Sequence, residues 1–307
     1  MRPTEKQASS LSSKLQALLR LSRWQQHVPY TVPLVLIGAL VAVYHSDNAL
    51  DWRLLFVTLA NILAMAFAFM VNDVVDAPDD MRDPLKAQKN VIAQGILTAR
   101  ESVFALILVV ILSAVLFALG GGRNFLVGAS TLILSYLYSV PPVRLKARPI
   151  VDIVSHVLML SALILLSGYV LYDTRLDAVW ALAFGVAFAS AYGQFYNQLS
   201  DFTVDKQAGL SNTAMLVGER NTRYLMGLSG LLTVVCIGIA IWQGVFPAWL
   251  VWVLLSAVVI VSMFDWQQDM RGNPSDASGT VQQPILLIAN IVAFVWLIVA
   301  LGLVPTS

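Results

Sequence analysis

Cysteine, histidine and charge are all scarce in this chain of 307 residues. The single cysteine, Cys236, excludes an intramolecular disulfide and a thiol-rich metal centre; in its apolar run it reads as a small core hydrophobe. The histidines, His27, His45 and His156, are too scattered to suggest a zinc cluster. Charge of either sign is thin: 12% of residues are charged, where a soluble domain carries about 25%. With 19 basic and 18 acidic groups the net charge is +1, so no basic field argues for nucleic acid. What is present instead is apolar: 58% of residues are hydrophobic and the mean hydropathy is +0.75. A water-soluble fold cannot hide that much apolar surface. The chain reads as an all-α, polytopic membrane protein lying in a lipid bilayer.

Apolar runs long enough to span, about 17–25 residues each, recur near 29–45, 53–72, 102–119, 124–140, 150–171, 178–199, 224–242, 247–264 and 284–303. They predict about nine transmembrane helices around a central cavity. The first 28 residues lack the continuous apolar core of a signal peptide. Leu11, Leu15, Leu18 and Leu19 share one helical face, which predicts an amphipathic surface helix over residues 9–23. The expected organisation is an interfacial segment, 1–28, followed by one transmembrane domain, 29–307.

Basic residues orient the chain. With the N-terminus cytoplasmic, 16 of the 19 Lys and Arg fall on that side, and only Arg53, Arg123 and Arg175 lie outside. Of the acids, only Asp47, Asp51, Asp173 and Asp177 fall on the outer side. The expected location is the cell (inner) membrane, multi-pass, with the cavity and its charged loops facing the cytoplasm.

Those loops carry a repeat. The second predicted helix ends in Asn72, Asp76 and Asp80, the sixth in Asn197, Asp201 and Asp205, both with the spacing N-x-x-x-D-x-x-x-D. Positions four apart form one stripe on a helix, so each copy aligns its side chains on one face. Facing carboxylates repel strongly beside low-dielectric lipid and become tolerable around a divalent cation. Hard oxygen ligands of this kind suit Mg2+, which prefers a few carboxylates together with phosphate oxygens. Pro78 is expected to kink or end the first helix between Asp76 and Asp80, whereas the second copy has no interruption before Gly209. Cations accompany the acids: Arg82, Lys86 and Lys89 follow the first copy, and Arg144, Lys146 and Arg148 follow Tyr138-Ser139-Val140-Pro141-Pro142. Arg and Lys beside carboxylates and metal meet the surplus negative charge of a diphosphate.

Asn72 to Asp80, the Tyr138–Lys146 segment and Asp201-x-x-x-Asp205-x-x-x-Gly209, in that order, resemble the UbiA superfamily of intramembrane prenyltransferases. The resemblance spans nearly the whole chain. It implies a prenyl diphosphate donor and transfer of its prenyl group to a hydrophobic or aromatic small-molecule acceptor. It implies Mg2+, two or more ions bridging the diphosphate, on Asn72, Asp76, Asp80, Asp201 and Asp205. Asn197, Lys89, Arg144 and Lys146 are then expected on the diphosphate side, Lys146 taking part in catalysis. Two departures bear on the acceptor: Leu21-Ser22-Arg23-Trp24 replaces an Arg-Pro pair, and Asn197-Gln198 replaces Asn-Asp. An intramembrane terpene cyclase using the same motifs, and a transporter using paired carboxylates, are the alternatives.

Asp152 and His156, one turn apart, are expected either to orient substrate or to pair with each other. Asn61, Tyr192, Gln194, Tyr196 and Asn290 suit a cavity wall or interhelical hydrogen bonds. The turn-rich loop beginning Asp265, Asp269 and Arg271 reads as a solvated connection, with capping of the site as the alternative. Arg23, entering the first spanning helix, is the candidate to hold the carboxylate of an aromatic-acid acceptor.

Overall fold

Backbone N–H and C=O groups in lipid find no water, so an apolar stretch there folds on itself as a helix. The computed structural model describes residues 11–81, 87–88, 90–207 and 209–304. In order they form α1 (Leu11–Ser22), α2 (Trp24–Tyr44), α3 (Arg53–Asp80), α4 (Ala99–Leu119) and α5 (Gly122–Ser139). Then come α6 (Val151–Tyr169), α7 (Trp180–Ser200) and two short helices, α8 (Phe202–Gln207) and α9 (Thr213–Val217). α10 (Glu219–Trp242), α11 (Leu250–Ser262) and α12 (Gln282–Ala300) complete the chain. Apart from one bridge between Gln268 and Pro274, the described residues are all-α.

A helix occupies each expected apolar stretch, yet among the described residues 6 helices are long and apolar enough to cross a membrane: α2, α3, α4, α6, α10 and the final helix. α11 has 13 residues. α5 and α7 place Asn124, Thr131, Ser135 and Gln194 in their buried faces. α2, α3 and α6 form the buried middle, whereas α4, α10 and α12 present mostly exposed apolar side chains such as Phe104, Ile111, Val234 and Phe294. An outer shell of this kind suits lipid rather than water.

Backbone contact sets the spacing of the central pair. A Cβ on Gly38 would meet the Leu165 carbonyl of α6, and one on Gly168 would meet the Val35 carbonyl of α2. Only glycine allows α2 and α6 to lie that close. α1 packs on α3, burying Ala17 and Leu21, and leaves Leu15 and Leu19 exposed on its other side.

The two motif helices end in the opposite way to the sequence expectation. α3 runs unbroken through Pro78 to Asp80, so Asp76 and Asp80 share one helix. Pro78 sits in the last turn, where its missing N–H costs a single bond, and Met81 N–H still donates to the Ala77 carbonyl at 3.0 Å. α7, with no proline at that point, stops at Ser200, and Asp201 joins it to α8 with φ −95° and ψ 2°. There the Ser200 hydroxyl donates to the Tyr196 carbonyl at 3.0 Å, the back-bonding that bends helices.

Candidate active site

The first motif is a charge-compensated cluster. Lys146 Nζ donates to Asn72 Oδ1 at 2.8 Å and to the Asp76 oxygens at 2.8 and 2.6 Å. Arg144 adds a bond to Asp76 Oδ1 at 3.3 Å, and the Ser139 hydroxyl donates to Asn72 at 3.2 Å. Both cations reach inward because the chain after α5 turns sharply: Arg144 has φ 40° and leads the 3-10 turn Leu145–Ala147. A non-glycine residue in that region carries strain of about 1 kcal/mol or more, a pattern concentrated at functional sites. Burial pushes the Lys146 ammonium below the usual lysine range, against the pull of Asp76. The Nε–H of Arg144 is buried and has no hydrogen-bond partner among the described residues, which leaves a donor over for an anion.

Asp80 accepts from Asn90 Nδ2 at 2.9 Å. The same amide nitrogen donates to the Asp73 carbonyl, and Asn90 Oδ1 caps Ile92 and Ala93 N–H. The second motif repeats this device: Asn212 Nδ2 donates to Asp205 at 3.0 Å while Asn212 Oδ1 caps Met215 N–H in α9. Asp201 accepts from Arg271 at 3.0 Å. The loop carrying Arg271 is therefore not a plain solvated connection. It is bonded to α7 by Arg271, by Tyr192 to the Ser278 carbonyl at 2.7 Å, and by Tyr196 to Ser275 at 2.6 Å.

Several expected roles change. Arg23 is already engaged: its guanidinium binds Asp73 through two bonds, 2.6 and 3.2 Å, and Asp73 is buried on α3, while the Arg23 side chain stays 30% exposed. Asp152 does not pair with His156. Fully buried, it accepts from Gln198 at 2.7 Å and Thr213 N–H at 2.8 Å, while Gln198 accepts from Ala214 N–H at 3.0 Å. That lattice ties α6, α7 and α9 behind the second motif, so Gln198 is a strut rather than a ligand. His156 lies by Tyr138, ring centroids 6.3 Å apart. Asn61, Gln194 and Asn290 make interhelical bonds, to Ser167, Tyr138 and the Pro29 carbonyl. Asn197 is half-buried, with no side-chain bond among the described residues. Arg148 folds back on the Val143 carbonyl. Arg82, Lys86 and Lys89 lie outside the described residues.

Asp73, Asn90 and Asn212 were missed by the spacing argument, which follows one helical stripe. Asp73 faces inward, off that stripe, and its signal was a second carboxylate directly after Asn72 in an otherwise apolar helix. Among the described residues, no three His, Cys, Asp or Glu side chains gather closely enough to hold a metal by themselves. The donor chemistry nevertheless fits a cation: three oxygens of Asn72 and Asp76 converge on the single positive centre of Lys146. Hard carboxylate and amide oxygens that already enclose an ammonium are the ligands Mg2+ takes when phosphate supplies the rest.

The profile of the UbiA prenyltransferase family matches residues 31–298. A lycopene elongase/hydratase from Haloarcula japonica is 29% identical over 165 residues, 52% of each chain, so the match spans about half the length of that relative. Another, from Corynebacterium glutamicum, is 27% identical over 203 residues, 61% of this chain and 69% of the relative. A solved UbiA homologue from Archaeoglobus fulgidus, bound to GPP and Mg2+, superposes with a TM-score of 0.67 at 22% identity, covering 91% of this chain and 99% of that one.

Proposed function

This chain belongs to the UbiA prenyltransferase family, and on that premise we propose that it transfers an isoprenyl group from a prenyl diphosphate to an apolar polyene acceptor, within the membrane and releasing diphosphate. The convergence of Lys146 and Arg144 on Asn72 and Asp76, with the spare Arg144 N–H, carries this reading. Asn72, Asp76, Asp80, Asp201 and Asp205 would hold Mg2+, which when bound supplies positive charge to the diphosphate. Lys146 and Arg144 then turn from carboxylate to phosphate oxygens and stabilise charge as it develops on the leaving group. The allylic C–O bond breaks with its electron pair going to diphosphate. A C=C of the acceptor donates its π pair to the allylic carbon, and the resulting cation loses a proton to the released diphosphate. Apolar helix walls exclude the water that would quench these cations.

Two observations support an uncharged polyene: Arg23 already commits Nε and one terminal nitrogen to buried Asp73, and two relatives bear lycopene in their names. Two adjoining surface grooves of about 320 and 420 Å3, both lined by Gln25, Pro29 and Asn290, lie between α2 and α12. The cytoplasmic placement of the motif end is part of the same proposal.

Purified protein in lipid, given dimethylallyl or geranyl diphosphate, Mg2+ and lycopene, should form a longer carotenoid and diphosphate. The same mixture with excess chelator should not. Prenylation of 4-hydroxybenzoate but not of lycopene would overturn the acceptor, and a cyclic hydrocarbon formed without acceptor would make the protein a cyclase.

A further inference from the structure

After Arg223 the sequence holds one Lys or Arg in its remaining length, Arg271. It lies in the α11–α12 loop, exposed but paired: a guanidinium nitrogen donates to Asp201 at 3.0 Å. The loop is built to hold it there. Asp269, buried, accepts the N–H groups of Arg271 at 2.8 Å and Asn273 at 2.9 Å, and stands 3.6 Å behind the guanidinium. Gln283 at the start of α12 donates to the Asp269 carbonyl at 2.8 Å. Beyond it, Gly279 lies so close to the Tyr196 phenol that a Cβ would not fit, which clamps the loop to α7.

We propose that Arg271 is a third cation for the donor's diphosphate, delivered to the second Asp motif by this loop as Lys146 and Arg144 are delivered to the first. The assignment rests on the prenyl-diphosphate reading of the site. Without donor, Arg271 neutralises Asp201. With donor bound, Asp201 turns to the metal and the planar guanidinium fork takes two phosphate oxygens through parallel N–H bonds.

The exchange has a consequence with opposite signs. A guanidinium on Asp201 competes with a bare divalent cation for that carboxylate, yet it attracts a divalent cation that arrives with diphosphate. Metal and donor binding are thereby coupled. Arg271→Ala should bind Mn2+ alone more tightly, by roughly two- to fivefold for loss of a half-exposed competitor. The same variant, at saturating Mn2+, should bind geranyl diphosphate about tenfold more weakly, as for a lost charged hydrogen bond. Arg271→Lys, which keeps the charge and loses the fork, should match wild type for Mn2+ alone and fall between the two for donor. Mn2+ is read by electron paramagnetic resonance and donor by calorimetry, neither needing turnover.

Unchanged values for both ligands in Arg271→Ala, or a fall in both together as a merely structural loop would give, overturn the proposal. Failure of the wild-type protein to bind geranyl diphosphate with Mn2+ would instead overturn the prenyl-diphosphate reading, and this inference with it.

Discussion

The two Asp motifs share a spacing but not an environment. In the first, Asp76 and Asp80 end one continuous helix, the Asp76 side chain is 21% exposed, and two cations reach it from the Arg144–Lys146 turn, 68 and 70 residues on. In the second, the helix breaks at Asp201, whose side chain is 50% exposed and whose cation comes from a loop 70 residues further on. The first is an enclosed cluster in which two cations meet one carboxylate; the second is open and rests on a single guanidinium for its charge balance. What they do share is the asparagine on the last carboxylate, Asn90 and Asn212, each also capping the turn that follows. Repetition of a ligand pattern thus repeats its immediate support and leaves its shielding free to differ.

Removal of the carboxylates separates chemistry from shielding. Asp76→Ala and Asp201→Ala should each lower kcat/KM by about 10²-fold or more, since on the proposed reading each deletes a ligand of the Mg2+ that would offset charge on the leaving diphosphate. Only Asp76→Ala should also lower the thermal midpoint in detergent, because it strands the buried Lys146 ammonium. Equal losses of midpoint in the two variants would break the comparison.

The ion pair beside the first motif tests the same contrast through stability. Arg23→Ala leaves Asp73 buried and unpaired and should destabilise the protein by about 3 kcal/mol in reversible unfolding. Arg23→Leu with Asp73→Leu should recover most of that loss, as buried pairs replaced together usually do. The acceptor KM should stay within roughly twofold in Arg23→Ala, against the 10- to 100-fold rise expected if the residue held a charged acceptor group.

Smaller effects probe what is shared. Asn90→Ala and Asn212→Ala should each raise the donor KM by about tenfold through a loosened carboxylate. A silent Asn212→Ala would show that the capped turn alone holds Asp205. Asp177→Asn, on the opposite end, should change kcat/KM by no more than about twofold. In a Cys236→Ala background, cysteines at Gln88 and Gln207 should be labelled from one side of the membrane and a cysteine at Thr174 from the other. Labelling of the first two from different sides would separate the motifs and sink the joint site.

Much of this was legible in residue order. Apolar runs marked the helices and the Asn72 and Asn197 stripes marked the two ends, because hydrophobic length and four-residue spacing are properties of consecutive residues. Composition and the length of the apolar runs by themselves pointed to an all-α membrane chain, and the paired motifs by themselves placed two sets of carboxylates at helix ends. Tertiary structure decided which charges meet. Arg23 went to Asp73, Asp152 to Gln198 and Thr213, and Arg271 to Asp201, across separations of 50, 46, 61 and 70 residues. It also decided that Pro78 is carried within a helix while the proline-free copy breaks at Asp201. The physical reason is common to the buried carboxylates Asp73 and Asp152. A carboxylate removed from water must be paired by whatever cation or N–H the packing brings within about 3 Å, and that partner is fixed by the arrangement of helices rather than by any local pattern.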